Sequence, residues 1–364
     1  RSSRSDRPEI LSLIHMAAAD RLQTIALARQ ALLHERSTAT VPALAPWLQR
    51  GWQRCQALGL EPGQRVGFDV VSAARMRRVQ EENRPLVQAA RPVLAELVRA
   101  MGSIGYFAIL TNAEGIVIDV HGPVDRGDRR ADVIARVGVD LSERAVGTTA
   151  ISAALRELQP VWLHRGEHFF DDTSVYSCAG APVFGPDGRC AGMLDLTGVE
   201  VTERPALKHL VRRSARSIEN SWLLTTPHAL TLRLNWPGNQ PGDDSDGLLT
   251  LDADGRISGA NPTARQMLSL DVGDSSAHAS DVFAMPWENL FDAAQRDDGF
   301  YEVPLWSGLR LQTQAHRAGA ALTGNTTMRS SGKALRDVET ELIRQAVVKA
   351  KGNVAEAARA LGIS

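Results

Sequence analysis

The sequence predicts an α+β chain: antiparallel sheets flanked by helices, a helical N-terminal region and a helical C-terminal segment. Three observations carry that expectation. Residues 137–197 alternate one helix-forming run with short β-branched or aromatic runs divided by turn signals. A second hairpin pattern, with an Asp-Gly turn, begins at Gly247. Both ends of the chain show apolar residues at helical spacing with identifiable stops.

With 364 residues the chain is long enough for two or three domains. A hydrophobic fraction of 43% is ordinary for a globular protein. The formal net charge is −1, so no global basic field advertises nucleic acid, and any such contact must be local. Cys55, Cys178 and Cys190 are odd in number and widely spaced. That argues against a disulfide framework and fits a reducing cytoplasm. No apolar run is long enough for a bilayer, and no signal peptide is visible, so a cytoplasmic protein without a membrane partner is expected. The chain opens at Arg1 rather than methionine, as expected of a tag remnant or missing first residues.

The expected organisation is a helical region over 1–80, a first sheet domain over 81–225 and a second over 226–317. A linker over 318–333 and a helix-turn-helix segment over 334–364, expected to be incomplete and without its recognition helix, follow. Arg7 to Leu33 reads as a helix with Ile10, Leu13, Ile14, Ala17, Ala18 and Leu22 on one face, broken by Pro42 and Pro46. Trp47 to Cys55 opens a second helix, whose two tryptophans read as helix packing. Leu86 to Met101 is a third, after Pro85. Gly105–Leu110 and Ile116–Val120 form a hairpin, with Phe107, Ile109 and Val117 facing the core.

Gly147 and Thr148 open the next helix, since a threonine hydroxyl can accept from an orphan N–H. It runs from Thr149 to Leu158 and stops at Pro160. Val161–Leu163, Ala181–Phe184 and Cys190–Leu196 are strands, the last two joined by the turn signal Pro186-Asp187-Gly188. Glu203 to Leu224 is a helix with the stripe Leu207, Leu210, Val211, Ala215, Ile218 and Trp222. It suits both a core-facing role and a signalling or dimer helix leading onward.

Pro227 to Asp246 reads as a linker or domain edge. Leu248 to Asn261 is a hairpin, followed by a helix that tolerates Pro262 in its first turn. Leu290–Phe300 is a helix or loop, and Tyr301–Gln314 holds two strands. His316 to Gly332 is a flexible linker. Its Gly319-to-Asn325 stretch lacks the lysine of a phosphate-gripping loop. Leu335 to Lys351 is helical, Gly352 ends it and Asn353 caps the next helix.

Several of these segments together resemble a known family. Ser142-Glu143, Gly147-Thr148-Thr149-Ala150-Ile151, Pro160-Val161, Glu167-His168-Phe169, Cys178-Ala179-Gly180-Ala181-Pro182 and Leu194-Asp195-Leu196-Thr197-Gly198 match it in order and spacing. They resemble the GAF domain of AcoR-type transcriptional activators, the acetoin-catabolism regulators. Thr149 stands where that family usually has Asn, and Gly180 where Ala is common. Gly51 to Cys55 with Gly59 to Pro62 resembles a further element of the family, Gly51 replacing Ser. Residues 247–264 resemble the opening of a PAS domain. Gly352-Asn353, Ala357-Ala358 and Leu361-Gly362-Ile363-Ser364 resemble a Fis-type helix-turn-helix.

The resemblance implies a ligand-responsive transcriptional regulator: a small organic effector sensed by the GAF domain, and a homodimer on a palindromic operator. RNA polymerase is a further implied partner. The family places an ATPase that engages sigma-54 between sensor and DNA-binding parts; this chain has none there, so it is expected to recruit or block polymerase instead. Lys351, Asn353, Arg359 and Ser364 are the expected DNA contacts. Ser364 falls where the recognition helix should begin.

The effector pocket is expected from Phe107, Ile109, Val146, Trp162, His168, Phe169, Tyr176, Cys178 and Leu194, an apolar set with few polar anchors. His164-Arg165-Gly166-Glu167-His168 matches H-x-x-E-H, but a zinc site of that type needs a helix. The strand-like lead-in and Gly166 make His168 a pocket or loop residue instead. Cys178 ranks first as a buried apolar group, then as pocket lining, then as a redox thiol. No nucleophile–base–orienter set can be assembled, so no catalytic residue, metal or cofactor is expected. The alternatives are a redox or metal sensor, or an enzyme like the GAF-type methionine sulfoxide reductases, using Cys178 and Cys190.

Overall fold

The computed structural model describes residues 21–318, apart from 36–40, 42–43, 102–103, 240–241, 243, 274–276 and 297–298, together with residue 356. Helix α1 covers 21–29 and runs into a π turn, Gln30–His34. Ile25, Ala28, Leu32 and Leu33 are its buried face, whereas Leu22 is largely exposed. The stripe therefore differs from the expected one at Leu22, while residues 7–20 lie outside the described residues. Pro46 does not break a helix but begins one, α2 (Pro46–Ala57), where its missing N–H costs nothing. Trp52 is wholly buried. Helix α3 (Ala73–Glu82), capped by Ser72, was not anticipated; only Val79 of it is buried, so its apolar signal is faint. Helix α4 (Arg84–Met101) starts two residues before the expected Leu86, with Pro85 inside its first turn.

The first sheet follows. Its strands and helices, in order, are β1 (Tyr106–Asn112), β2 (Val117–His121), α5 (Arg129–Ile134), α6 (Glu143–Val146) and α7 (Ala150–Glu157). Then come β3 (Val161–His164), β4 (Tyr176–Phe184), β5 (Cys190–Val199) and the long helix α8 (Leu207–Thr225). The spatial order is β2-β1-β5-β4-β3, antiparallel throughout. One face packs Ala108, Leu110, Leu194 and Leu196 against α4 and α8. The other packs Phe107, Ile109, Cys178 and Met193 against α1, α2, α7 and the connecting segments. Because both faces are covered, β1 is buried at every position and shows no apolar–polar alternation.

The threonine that caps α7 is Thr149, not Thr148. Its hydroxyl and that of Ser152 form a reciprocal capping box. The Thr148 hydroxyl instead meets the Cys55 sulfur at 3.2 Å. Gly147 ends α6 at φ 67°, and a side chain there would press on Phe169 and Phe170 at 3.0 Å.

The segment expected as a linker over 227–246 is corrected by the structure. It contains β6 (Leu230–Asn235), the central strand of a second five-stranded sheet of order β8-β7-β6-β10-β9. Leu230, Leu232 and Leu234 are buried in its core. The Pro and Gly residues that suggested a linker lie after this strand. Asp246 is not a solvated acid either: it pairs with Arg233 at 3.2 Å and accepts from Asn235 at 2.9 Å, both acid and Arg233 being buried. The module continues with β7 (Gly247–Leu251), β8 (Ile257–Ala260), α9 (Pro262–Leu268), α10 (Ala279–Val282), α11 (Glu288–Arg296), β9 (Tyr301–Pro304) and β10 (Arg310–Arg317). His316 and Arg317 thus belong to a strand, not to the expected linker. Residues beyond 318, with the expected helix-turn-helix, lie outside the described residues except Glu356, which is helical and exposed.

The two modules touch through α8 and through the β4–β5 turn. Pro186 accepts from Ala260 N–H and from the Arg265 guanidinium, each at 3.0 Å, and Asp187 accepts from Gly273 N–H at 2.9 Å. No described helix is long and apolar enough to cross a membrane.

Candidate functional site

On the face of the first sheet away from α4 and α8 lies a small, partly open cavity. Strand periodicity chooses its floor: Ile109 on β1, Asp195 and Thr197 on β5, and Cys178 on β4. Val146, Thr149, Ala150 and Ile151 from α6 and α7 form one wall, His168, Thr173 and Tyr176 another. Gly180 lets α7 approach this closely, since a methyl group there would come within 2.9 Å of the Ala150 carbonyl oxygen and 2.6 Å of Met193.

Of the nine expected pocket residues, the structure brings Ile109, Val146, His168, Tyr176 and Cys178 to the cavity. Phe107 and Phe169 are buried in the same core but do not line it. Trp162 and Leu194 point to the opposite face, among residues packed on α4 and α8. Their positions are one residue out of phase with the lining residues Cys178 and Asp195 on the antiparallel ladder. Spacing along β5 could have found Asp195 and Thr197, two residues apart, had Leu194 not drawn attention by its hydrophobicity. Phe68, Ile134 and Leu141 come from segments with no legible periodicity.

The cavity's polar groups are few. Asp195 is fully buried, and burial pushes its carboxyl up to about 7. One carboxyl oxygen accepts from the Thr197 hydroxyl, while Oδ1 has no partner. The Thr197 oxygen in turn lies 3.4 Å from the Cys178 sulfur. The Cys178 thiol is held well above the usual range by burial and then by the Asp195 carboxyl. His168 is fully buried, which pulls its imidazole down to about 4. Its Nδ1 lies 2.9 Å from the Arg165 carbonyl oxygen, and its Nε2 has no partner. Tyr176 donates to the Arg130 carbonyl at 2.9 Å.

The segment carrying His168 is tied from outside. The Arg29 guanidinium on α1 donates to the carbonyls of Gly166 (3.0 Å), His168 (2.6 Å) and Phe169 (3.1 Å), and pairs with Asp171 at 2.5 Å. The Trp52 indole donates to the Glu167 carbonyl at 3.0 Å. Glu167 accepts from His164 N–H at 2.7 Å and from Arg21 at 2.7 Å. His164 Nδ1 lies 2.6 Å from the Ser177 hydroxyl. The H-x-x-E-H run is therefore a strand end and a 3-10 turn with its acid spent on a cap and an ion pair. No cluster of three or more metal-ligating side chains occurs among the described residues. Lys351, Asn353, Arg359 and Ser364 lie outside the described residues.

A sheet-and-helix chain of this kind ending in a helix-turn-helix falls in the class of bacterial regulatory proteins: residues 334–364 match the Fis family of bacterial regulatory proteins. Residues 24–220, more than half the chain, match the model "MimR, N-terminal domain", and the chain belongs to that family. It is 31% identical over 283 residues to the acetoin catabolism regulatory protein of Cupriavidus necator, covering 75% of this chain and 41% of that protein. It is 29% identical over 180 residues to the propane 2-monooxygenase operon transcriptional activator MimR of Mycolicibacterium goodii, covering 49% of this chain and 30% of that one. The chain thus spans about two fifths or less of these relatives. The solved E. coli DhaR(N)–DhaL complex aligns over 75% of this chain and 99% of that one at 15% identity and a TM-score of 0.46.

Proposed function

We propose that this chain is a ligand-responsive transcriptional regulator, in which a small effector enters the cavity on the first sheet and DNA is bound through residues 334–364. What carries the proposal is the presence in one chain of a sheet-face cavity lined by residues with unpartnered polar atoms and a Fis-family match. In this proposal the first sheet with its helices, 81–225, is a GAF-type sensor, and 226–317 is a PAS-type module. The helical region 1–80 braces the sensor, and 318–333 links to the helix-turn-helix. That interval is too short for an ATPase, so this chain does not itself turn over ATP. The acting species is a cytoplasmic homodimer on a palindromic operator that engages polymerase without catalysing a reaction.

The signal route runs along β5. This strand carries Asp195 and Thr197 at the cavity, and the turn that precedes it docks on β8 and α9 through Pro186 and on the segment after α9 through Asp187. An effector that shifts β5 moves that turn, and the two arrangements of the second module bias the DNA-binding ends.

The test is a thermal-shift screen of small metabolites on the full chain, followed by footprinting with and without the stabilising compound. A true effector raises the melting temperature by mass action, and Tyr176→Ala reduces that gain. Trp162→Ala, facing the other side of the sheet, leaves it in place. DNA affinity that falls steeply with salt is expected of residues 334–364. Lys351→Ala and Arg359→Ala should weaken binding across all sequences alike. The absence of any stabilising small molecule, or of any salt-dependent DNA binding, would reject the proposal.

A further inference from the structure

Two atoms in the cavity wall decide what can bind there, provided the cavity is the effector site proposed above. His168 Nδ1 faces a carbonyl oxygen, which can only accept, so Nδ1 carries the proton. A neutral imidazole then leaves Nε2 as an unpartnered acceptor, fully buried. Asp195 Oδ1, on the cavity floor, is a second unpartnered atom, also fully buried. The remaining lining is apolar but for Thr, Tyr and Cys groups that already hydrogen-bond elsewhere or to one another.

We infer that the effector is a small uncharged molecule bearing a hydroxyl group, which donates to His168 Nε2 and bonds Asp195 Oδ1. A hydroxyl is the small neutral group that gives its one proton to Nε2 and, through its lone pairs, accepts from a protonated Asp195 Oδ1. A simple ketone offers no donor, so Nε2 would stay unsatisfied. A carboxylate would face Asp195 with no Lys or Arg among the lining residues. An ammonium would give up its hydration to a lining that is mostly apolar, with the Arg29 guanidinium, bonded to the His168 backbone carbonyl at 2.6 Å, a like charge nearby. Leaving a built-in buried acceptor unpaired is the strongest way a pocket rejects a near-isostere.

The experiment is calorimetric or saturation-transfer titration of the full chain with a matched set: butan-2-ol, butanone, butan-2-amine and butanoate. Butan-2-ol is expected to bind about tenfold or more tightly than butanone, the worth of one satisfied buried polar group. In His168→Phe the alcohol's advantage should shrink to near one, and Asp195→Leu should lower alcohol affinity most. Should either variant fail to fold, the wild-type ranking alone still decides. Butanone binding as tightly as the alcohol, or the amine or butanoate binding most tightly, overturns the hydroxyl assignment while leaving the cavity a ligand site. Binding of none of the four overturns both.

Discussion

Asn261 donates its side-chain amide to the side-chain carbonyl of Asn220 at 2.9 Å, joining the second module to the last turns of α8. The same Asn261 caps α9 by accepting from Ala264 N–H at 2.8 Å, accepts from Leu248 N–H at 3.0 Å and donates to the Asp246 carbonyl at 2.9 Å. All four capacities of one buried amide are used, so it works as a rivet between helix, strand and cap. Asn261→Ala is expected to cost about 2–4 kcal/mol, the sum of a lost cap and stranded buried groups. Asn220→Ala removes this bond and the Asn220 donation to the Asp244 carbonyl at 3.3 Å, and should cost about 1–2 kcal/mol. Denaturant midpoints measure both. In the Asn220 variant, calorimetry should also separate the melting of the two modules, as coupling between cooperative units weakens. Equal costs for the two substitutions would contradict the rivet.

Arg29 is the brace of the cavity wall, and its guanidinium fork fits three carbonyls that no single ammonium can reach together. Arg29→Ala should lower stability by about 2–4 kcal/mol through stranded acceptors. Amide exchange in 165–171 should quicken, and effector affinity fall with it. Arg29→Lys is expected to restore little of either. Unchanged exchange in that segment would show that the wall is held by Trp52 and Glu167 alone.

Glu219 on α8 is buried and accepts from Phe184 N–H at 2.9 Å. Burial raises its carboxyl from 4.5 to about 8, against the opposing pull of that hydrogen bond and of Arg216. The folded protein therefore holds a proton that the unfolded chain releases above its ordinary value. The contribution to stability is fully present below about pH 4.5 and is lost as pH rises through about 8. Glu219→Gln keeps the acceptor without the charge, so it should gain on wild type steadily from pH 5 to pH 8. Parallel stability–pH curves for the two proteins would refute the burial argument.

The three thiols differ in accessibility. Cys55 and Cys178 are buried with raised thiols, and burial pushes Cys55 to about 11, while Cys190 is only partly covered. A disulfide-exchange reagent on the native protein should label Cys190 first. Cys55 and Cys178 should react on the order of a hundredfold more slowly, at the rate of unfolding. Fast native labelling or peroxide oxidation of Cys178 would instead favour the redox-sensor or reductase alternative.

Gly180 tests how the cavity is assembled. The resemblance makes Ala common at this position, yet a methyl group would collide with the Ala150 carbonyl and Met193. Gly180→Ala should destabilise by about 1–3 kcal/mol, the usual range for overpacking, and shift α7 away from β4. Unfolding midpoints give the cost directly.

Local chemistry made much of this protein legible in its sequence. Turn residues and short β-branched runs marked β1 to β5, the Asp252-to-Gly255 turn marked the second hairpin, and ordered motifs pointed to the regulator class. Asn261 and Pro262 announced α9 because a cap and a first-turn proline act within four residues of one another. Tertiary structure alone decided the rest. Strand β6 escaped notice because nearby Pro and Gly outweighed its alternating leucines, and its partners β7 and β10 lie far along the chain. Which aromatic residues reach the cavity depended on the phase of β3 and β5 in a sheet covered on both faces. There, hydrophobicity no longer distinguishes Trp162 and Leu194, on one side, from Ile109 and Cys178 on the other. The brace from Arg29 to the His168 segment joins residues about 140 positions apart, and only packing could bring them together, since no sequence pattern encodes a contact of that range.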